Sequence, residues 1–260
     1  MINVSKKKVG LALGAGSARG FAHIGVLQVL EENSIPIDLI VGSSMGSVIG
    51  GIYACGTDLH MLSKIVPVLN EKDYFDIVIP RYGGLIKGDK FRSLIRIFTK
   101  KYKFSDTKIP FACTAVDLLQ GELVVIDQGD IDDAIRASIA IPGLIEPHNW
   151  NGKLLIDGGV ISRVPCDIAR DMGADVVIGV DVGYRGGPPL SPIRRTVDYL
   201  YAAFDIIGWE AAKAHDSGAD IMIAPDISNI NPNSFCDFQM CVENGRKAAE
   251  RALPQILALL

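Results

Sequence analysis

The sequence predicts an α/β fold with three layers, in which a mostly parallel central sheet lies between helices. Short, continuous apolar runs at Val9 to Leu13, Ile37 to Val41 and Val176 to Val182 are typical of buried parallel strands. A segment with helical spacing of apolar residues, Ile24 to Leu30, separates the first two runs. Strand, helix and strand in this order imply a right-handed crossover and a sheet that is covered on both faces.

The remaining elements follow from similar runs and from residues that end helices. Pro36 follows the end of the first helix, and Gly56 and Asp58 respectively end one helix and cap the next. Further strands are predicted at Ile109 to Val116, Glu122 to Ile126, Leu154 to Ile156 and Ile221 to Ala224. Further helices are predicted at Ser47 to Ala54, Leu59 to Leu69, Ile131 to Ile139, Arg195 to Lys213 and Asp237 to Leu259.

The chain shows no repeat, and no linker rich in Ser or Pro divides it. We therefore expect one domain over residues 1–260. Its sequence motifs lie between residues 9 and 182, and the helices of residues 191–260 are expected to pack on that core.

Composition narrows the class of protein. The 260 residues carry a formal net charge of −4, which argues against nucleic-acid binding. The five cysteines have no C-x-x-C spacing, so they indicate buried thiols in a reducing compartment, with neither disulfides nor a zinc site. No run of about 18 apolar residues predicts a membrane-spanning helix. The apolar run after Lys6 to Lys8 ends at Gly14 and fits a strand better than a signal peptide, so a cytoplasmic protein is expected.

The motif Gly42-x-Ser44-x-Gly46 lies between a predicted strand and a helix of small residues. This order is what a nucleophile elbow requires, because a sharp strand-to-helix turn presents the serine Oγ at the end of the sheet. The elbow also places Ser44 at a helix N-terminus, which favours developing negative charge. The alternative is a glycine-rich turn whose two hydroxyls act as helix caps.

The glycine-rich stretch Gly14 to Gly20 has two functional interpretations. As a dinucleotide-binding turn it fits poorly, because its third glycine comes one residue late and Asp38, the acidic residue in the window, precedes the second strand. As an oxyanion hole it fits better, because a strand-to-helix loop of small residues presents unpaired N–H groups. If the first two strands are neighbours, this loop and the elbow open at the same edge.

A nucleophilic serine needs a base, and the histidines give no clear candidate. His23, His60 and His148 have no supporting pattern, and His215, the only one after Asp157, lies on a predicted helix beside Asp216.

Asp157 is the stronger candidate, because it follows a strand and precedes Gly158 and Gly159. We expect it at the same edge of the sheet as the two earlier loops, with desolvation raising its basicity. The alternative is an ordinary turn aspartate.

A basic insertion, residues 81–108, contains nine Lys or Arg residues. Within it Phe91, Leu94, Ile95 and Phe98 form the apolar stripe of an amphipathic helix. The stripe either packs on the core or lets residues 87–103 contact an anionic membrane surface. A second insertion, Tyr184 to Pro189, is either a lid or an inert loop.

Taken together, four segments resemble the patatin-like phospholipase family, and most closely its small single-domain bacterial members. They are Gly14-x-Gly16-x-x-Arg19-Gly20, Gly42-x-Ser44-x-Gly46, the block from Arg136 to Gly143, and Asp157-Gly158-Gly159. The resemblance implies that Ser44 is the nucleophile of a Ser–Asp dyad with Asp157, and that lipid acyl esters are hydrolysed through an acyl-enzyme. It implies no metal and no other cofactor.

We expect the oxyanion donors among Gly14, Ala15, Gly16, Ser17, Arg19 and Met45. Ala15 and Ser17 stand where many relatives have glycine. Ser162 stands where relatives commonly have an Asn, shortly after the Asp157-Gly158-Gly159 motif. Two alternatives stay open: an acyltransferase with the same dyad, and a regulatory binding protein with weak hydrolysis. Head group, acyl-chain preference and oligomeric state are not predicted.

Overall fold

The computed structural model describes residues 7–69, 74, 76–77, 83–187, 193–213, 218–232 and 235–260. Its strands are β1 (Val9–Leu13), β2 (Leu39–Ser43), β3 (Phe111–Asp117), β4 (Glu122–Ile126), β5 (His148–Trp150), β6 (Lys153–Asp157), β7 (Val176–Val180) and β8 (Ile221–Ile223). Its helices are α1 (Ala22–Glu32), α2 (Met45–Ala54), α3 (Leu59–Ile65), α4 (Asp89–Phe98), α5 (Ile131–Ser138), α6 (Cys166–Asp171), α7 (Thr196–Lys213) and α8 (Phe238–Leu259).

The strands form a single mixed sheet in the order β5-β6-β3-β2-β1-β7-β8. Strand β4 also pairs with β3 and is not part of this linear order. The centre is parallel, since β1 runs parallel to β2 and β7, β3 runs parallel to β2, and β8 runs parallel to β7. The predicted fold class, with a mostly parallel central sheet, is thereby confirmed. The prediction missed the antiparallel part, in which β4 and β6 pair with β3, and β5 pairs with β6.

Residues that alternate along the strands supply the two apolar faces of the sheet. On β1, Leu11 and Leu13 belong to the larger core, which also holds apolar residues of α1, α2, α5 and α8. Ala12 belongs to a smaller core on the opposite face, where Cys166 and Ala169 of α6 pack. The large layer therefore lies on one face, and a thin layer built on small residues lies on the other.

The C-terminal helix α8 packs along α1 and completes the large layer. The rings of Phe21 and Phe238 lie 4.9 Å apart, edge to face, and Arg246 contacts the Glu32 carboxylate at 2.7 Å. Because α1 follows the Gly14 to Gly20 loop directly, this contact helps to fix that loop relative to the sheet.

Most element boundaries lie within two residues of the predictions, and the larger differences have local causes. Helix α3 ends at Ile65 because Pro67, which has no N–H group to donate, stands in a 3₁₀ turn from Val66 to Val68. Strand β5 was missed because its three residues, His148–Trp150, form no apolar run, and the six-residue α6 was missed because it is too short for a periodic pattern.

The apolar stripe of the basic insertion packs on the core. Ile95 and Phe98 of α4 are buried, and Phe91 and Leu94 are partly buried against the same core. The structure therefore favours the core-packing alternative for this stripe, and membrane contact by residues 87–103 stays a prediction. Arg92 is paired with Asp132 and Asp133 at 2.8 and 2.6 Å, which ties the basic side of α4 to α5. Among the described residues, no helix combines the length and apolar character needed to cross a bilayer.

Candidate active site

Ser44 occupies a strained turn between β2 and α2. Its backbone has φ 53° and ψ −123°, a region that a non-glycine residue adopts only when the surroundings enforce it. The surroundings do so, because a Cβ on Gly46 would lie 2.0 Å from the carbonyl oxygen of Leu13, and one on Gly42 would lie 2.4 Å from the Cα of Ser47. Only glycine permits this close approach of α2 to the sheet.

The Ser44 hydroxyl is hydrogen-bonded to Asp157. Ser44 Oγ donates to Asp157 Oδ2 at 2.6 Å, and the Gly159 N–H donates to Asp157 Oδ1 at 2.7 Å. The Ser44 N–H donates in turn to Ser138 Oγ at 3.0 Å. The structure thus brings together the serine and the carboxylate that the motifs singled out, and it adds Ser138 of α5, which the motif analysis left without a role.

The two residues meet for a different reason from the one expected. Strand β6 is antiparallel to β3, so its carboxyl end points against those of β1 and β2. Thr114 of β3 pairs with Ser43, and the next residue, Ala115, pairs with Asp157. Strand β4 occupies the opposite side of β3, so β2 and β6 approach each other head-on along one side. The sequence analysis expected Asp157 at the carboxyl edge that β1 and β2 share as parallel strands. That expectation was wrong about the direction of β6.

Burial sets the acidity of Asp157. The side chain is fully buried, and desolvation raises its pKa from the ordinary value of 3.8 to about 7. The hydrogen bonds from Ser44 and the Gly159 N–H act in the opposite direction and lower the pKa. The group therefore titrates near neutrality, where a carboxyl can both accept and return a proton.

The loop after β1 keeps only some of its expected donors free. The Gly14 N–H donates to the Val180 carbonyl at 3.0 Å, and the Ala15 N–H donates to the Arg163 carbonyl at 2.8 Å. These two N–H groups are therefore not available to a ligand, contrary to the expectation from sequence.

Three expected donors remain. Among the described residues, the N–H groups of Gly16, Ser17 and Met45 have no acceptor. The carbonyl of Gly16 accepts from the Arg19 N–H at 3.1 Å and from Arg19 Nε at 3.3 Å. Because a trans peptide points its C=O and N–H in opposite directions, these bonds turn the Ser17 N–H away from Arg19. Arg19 thus orients the loop, and its backbone N–H is itself occupied.

Helix α7 contacts this loop at two points. The buried guanidinium of Arg19 forms an ion pair with Asp205, and the Ser17 side chain is near enough to Tyr201 to lower the pKa of its phenol. Desolvation raises the pKa of Tyr201 to about 12, so the phenol stays neutral. Neither residue had a sequence signal beyond its place in a predicted helix.

The described histidines serve elsewhere. His23 Nε2 is hydrogen-bonded to the Gly14 carbonyl at 2.8 Å, and burial lowers its pKa to about 4, so the ring is neutral and supports the loop. His148 contacts Asp133 at 2.9 Å on α5, and His60 lies on α3 beside its Asp58 cap. His215 lies outside the described residues. In the described part of the chain, no cluster of His, Cys, Asp or Glu is arranged to hold a metal ion.

An apolar cleft leads from Ser44 into the large layer. Its mouth, of about 60 Å³, includes Ser44, Met45, Ile139 and Tyr201. A second cavity of about 40 Å³ shares Met45 with the mouth and continues between α2, α3 and α4. A further cavity of about 410 Å³ shares Tyr201 with the cleft and is lined by more polar groups. Ser44 itself is only 4% exposed.

Comparison with known proteins gives a consistent similarity. Residues 11–170 match the family described as "Patatin-like phospholipase". An uncharacterized NTE family protein of Mycobacterium tuberculosis is 39% identical over 187 residues, which cover 71% of this chain and 52% of that protein. The patatin-like phospholipase domain-containing protein 6 of Homo sapiens is 36% identical over 237 residues, which cover 85% of this chain and 16% of that protein. The chain thus spans about half the length of the mycobacterial relative and less of the human one.

Two solved structures share the fold. VipD from Legionella pneumophila has a TM-score of 0.66 at 15% identity, with 96% of this chain and 67% of that chain covered. The type III effector protein ExoU has a TM-score of 0.52 at 13% identity, with 96% and 53% covered. At these identities the likeness concerns the fold alone.

Proposed function

The chain belongs to the patatin-like phospholipase family, and from that premise we propose that it is a lipid acyl hydrolase with a catalytic dyad of Ser44 and Asp157. Family membership implies lipid acyl hydrolysis in general. The observation that carries the assignment of residues is the 2.6 Å hydrogen bond from Ser44 Oγ to Asp157 Oδ2 in a buried turn. No described histidine contacts this serine, so the carboxylate is the base at hand.

The proposed reaction has two halves. Ser44 Oγ attacks the ester carbonyl while Asp157 takes the hydroxyl proton, and the N–H groups of Gly16, Ser17 and Met45 hold the oxyanion. Asp157 then returns the proton to the alcohol as the bond between carbonyl carbon and alcohol oxygen breaks. Water attacks the resulting acyl-enzyme with Asp157 again as base, which releases the fatty acid and restores Ser44. A pKa of about 7 suits both directions of proton transfer.

The surroundings of Ser44 support an ester with a long acyl part. The cleft and its continuation are bordered by Met45, Val48 and Phe91, and by apolar residues of α3 and α4, so an acyl chain that widens this path stays out of water. The larger cavity beyond Tyr201, with Arg19 and Asp205 in its wall, would take the polar alcohol part. We therefore propose phospholipids or lysophospholipids as the substrate class.

A fluorophosphonate probe followed by peptide mapping tests the nucleophile. We expect covalent labelling of wild-type protein at Ser44 and none of Ser44→Ala. Ser43→Ala is a matched control, because its hydroxyl donates to the Ser162 carbonyl at 2.8 Å and takes no part in the proposed chemistry, so labelling should persist. Equal labelling of Ser44→Ala would refute the mechanism.

Lipid products then separate hydrolysis from the two alternatives. With phospholipid or lysophospholipid and water alone, we expect free fatty acid. Transfer of the acyl group to an added alcohol in preference to water would identify an acyltransferase. Lipid binding without labelling or turnover would identify a regulatory binding protein.

A further inference from the structure

The end of helix α5 contacts both members of the proposed dyad. Ser138, the last residue of this helix, accepts a hydrogen bond from the Ser44 N–H at 3.0 Å. Two residues further on, the carbonyl oxygen of Ala140 accepts a hydrogen bond from the Asp157 N–H at 3.0 Å. We call residues 138–140 the brace, because this one short segment holds the backbone of the nucleophile and the backbone of the base.

The brace forms because α5 ends where it does. Helical hydrogen bonding continues as far as Ile139, whose N–H donates to the Ile135 carbonyl at 3.1 Å. Pro142 follows shortly after and disfavours the helical conformation in the residue before it. Carbonyl groups at the end of a helix have no partner within the helix. The Ala140 carbonyl is therefore free to accept from the N–H of Asp157.

The strained backbone of Ser44 needs an anchor on each side. On its carbonyl side, the Ser44 oxygen accepts from the Ser47 N–H at 2.8 Å and from the Ser47 hydroxyl at 2.6 Å, so α2 fixes that end. On its amide side, Ser138 Oγ is the acceptor that the described part of the chain offers to the Ser44 N–H. A φ of 53° persists in a non-glycine residue only when such contacts enforce it.

Burial makes the contact with Ser138 hard to replace. Ser138 and Asp157 are fully buried and Ser44 is 4% exposed, so water has little access to the Ser44 N–H. A buried N–H without an acceptor is destabilising, and the turn around Ser44 would relax to relieve it. The bond at stake joins Ser44 Oγ to Asp157 Oδ2 at 2.6 Å. A displacement of about 1 Å at reacting atoms can lower a rate about 100-fold.

We propose that Ser138 is a positioning residue for the proposed reaction. Its hydroxyl holds the strained backbone of Ser44, so that Ser44 Oγ stays within hydrogen-bonding distance of Asp157. Ser138 itself takes no part in bond making and acts through Ser44. The proposal rests on the proposed hydrolase function for its effect on rate, but the contact between Ser138 and the Ser44 N–H can be measured without turnover.

Ser138→Ala removes the hydroxyl and leaves the packing nearly unchanged. We expect kcat for a soluble ester to fall at least about tenfold with KM nearly unchanged, because the reacting atoms are displaced and the binding surfaces are not. Ser138→Thr keeps the hydroxyl and should recover part of kcat, although the buried site must accommodate one more methyl group. A wild-type kcat in Ser138→Ala would overturn the proposal. An equal loss in Ser138→Thr would assign the effect to packing and would also overturn it.

Ser43→Ala is the matched control, because it makes the same substitution at a fully buried serine one residue from the nucleophile. The Ser43 hydroxyl donates to the Ser162 carbonyl at 2.8 Å and does not contact the Ser44 backbone. This variant should keep the wild-type kcat. A loss of kcat equal to that of Ser138→Ala would show that any buried hydroxyl near the turn has this effect, and the specific role of Ser138 would be refuted.

The pH profile gives a readout that a simple loss of stability would not move. The hydrogen bond from Ser44 lowers the pKa of Asp157, so loosening this bond raises that pKa. The inflection of kcat/KM against pH should therefore move to higher pH in Ser138→Ala and stay in place in Ser43→Ala. An unmoved inflection in Ser138→Ala would show that the bond between Ser44 and Asp157 survives, contrary to the proposal.

Hydrogen exchange at the Ser44 amide, followed by NMR, tests the contact without turnover. We expect this amide to exchange at least about tenfold faster in Ser138→Ala than in the wild-type protein, and at the wild-type rate in Ser43→Ala. Unchanged exchange in Ser138→Ala would overturn the proposal. If the wild-type protein hydrolyses no ester and Ser44 is not labelled, the proposed function fails, but the exchange rate still decides whether Ser138 holds the turn.

Discussion

Ser44 and Asp157 face each other because their strands, β2 and β6, end head-on beside β3. Ser43 and Asp157 pair with consecutive β3 residues, Thr114 and Ala115. The distance between the proposed nucleophile and its base is therefore set by the pairing of both backbones with β3. The two short side chains can meet without spanning a wide gap. A change that displaces β6 along β3 should disturb the hydrogen bond between the two residues directly.

Gly158→Ala should disrupt both stability and activity. A Cβ at this position would lie 2.3 Å from Thr114 Oγ1 and 2.4 Å from the Thr114 carbonyl oxygen, so the turn after Asp157 must move. We expect a loss of about 2 kcal/mol or more in the free energy of unfolding, measured by urea denaturation, together with a loss of ester hydrolysis. Gly208→Ala is the control, because a Cβ there meets nothing within 4 Å, and helix α7 should tolerate or favour it. Equal effects of the two changes would contradict the packing argument.

The rate of hydrolysis should rise with pH through about 7. Asp157 acts as base only when ionised, and burial raises its pKa to about 7, so kcat/KM for a soluble ester should fall about tenfold per pH unit well below that value and level off above it. His23 cannot account for such an inflection, because its pKa is lowered to about 4. A profile that is flat from pH 5 to about 9 would contradict the assignment of Asp157 as base.

Asp157→Asn should be inactive and, at alkaline pH, more stable than the wild-type protein. The folded state holds the Asp157 proton more tightly than the unfolded chain does, since the pKa is about 7 when folded and 3.8 ordinarily. The stability that this group contributes is thus present below pH 4 and is lost as pH rises to 7.

The amide does not ionise, so the stability difference between variant and wild type should grow over this range by up to about 4 kcal/mol. Urea denaturation of both proteins at a series of pH values measures it. The reverse slope would show that the Asp157 pKa is lowered in the folded protein.

The parallel centre of the sheet and the turn around Ser44 could be predicted from the sequence, because both depend on local patterns of residues. The apolar run of β1 and the motif around Ser44 specify backbone conformation through their own residues. The contact between Ser44 and Asp157 is different in kind. It depends on the antiparallel pairing of β6, which the short run from Leu154 to Ile156 did not reveal. Asp157 was singled out by its place after a strand and by the motif resemblance, and the expected strand direction was wrong.

The loop from Gly14 to Gly20 shows the same limit. A glycine-rich stretch indicates that backbone N–H groups can form hydrogen bonds. It does not indicate which of these N–H groups donate to neighbouring backbone carbonyls and which stay available to a ligand. Val180 and Arg163 accept from Gly14 and Ala15, and both acceptors lie more than 140 residues away along the chain. Helix α7 was predicted closely, yet the contact of its Asp205 with the loop is tertiary and has no sequence signature.

Asp205 should act as a positioning residue for the loop. Its carboxylate pairs with the buried Arg19 guanidinium, which in turn donates to the Gly16 carbonyl and so orients the Ser17 N–H. Asp205→Ala removes the anchor, and we expect kcat for a soluble ester to fall about tenfold or more, the cost of misplacing one oxyanion donor, with KM nearly unchanged. Asp205→Asn keeps an oxygen that can accept a hydrogen bond from Arg19 but removes the negative charge. Partial recovery of kcat in this variant would show that Asp205 acts by positioning Arg19 and not by its charge alone.

Glu210→Gln provides the control on the same helix, because Glu210 is 63% exposed and pairs only with Lys213 at 2.6 Å among the described residues. This variant should hydrolyse the ester at the wild-type rate. A fall in kcat for Glu210→Gln equal to that for Asp205→Ala would mean that α7 acts through its overall charge, and the specific contact with Arg19 would lose its proposed role. A rise in KM with kcat unchanged would place Asp205 in substrate binding instead, since uniform binding energy appears in KM alone.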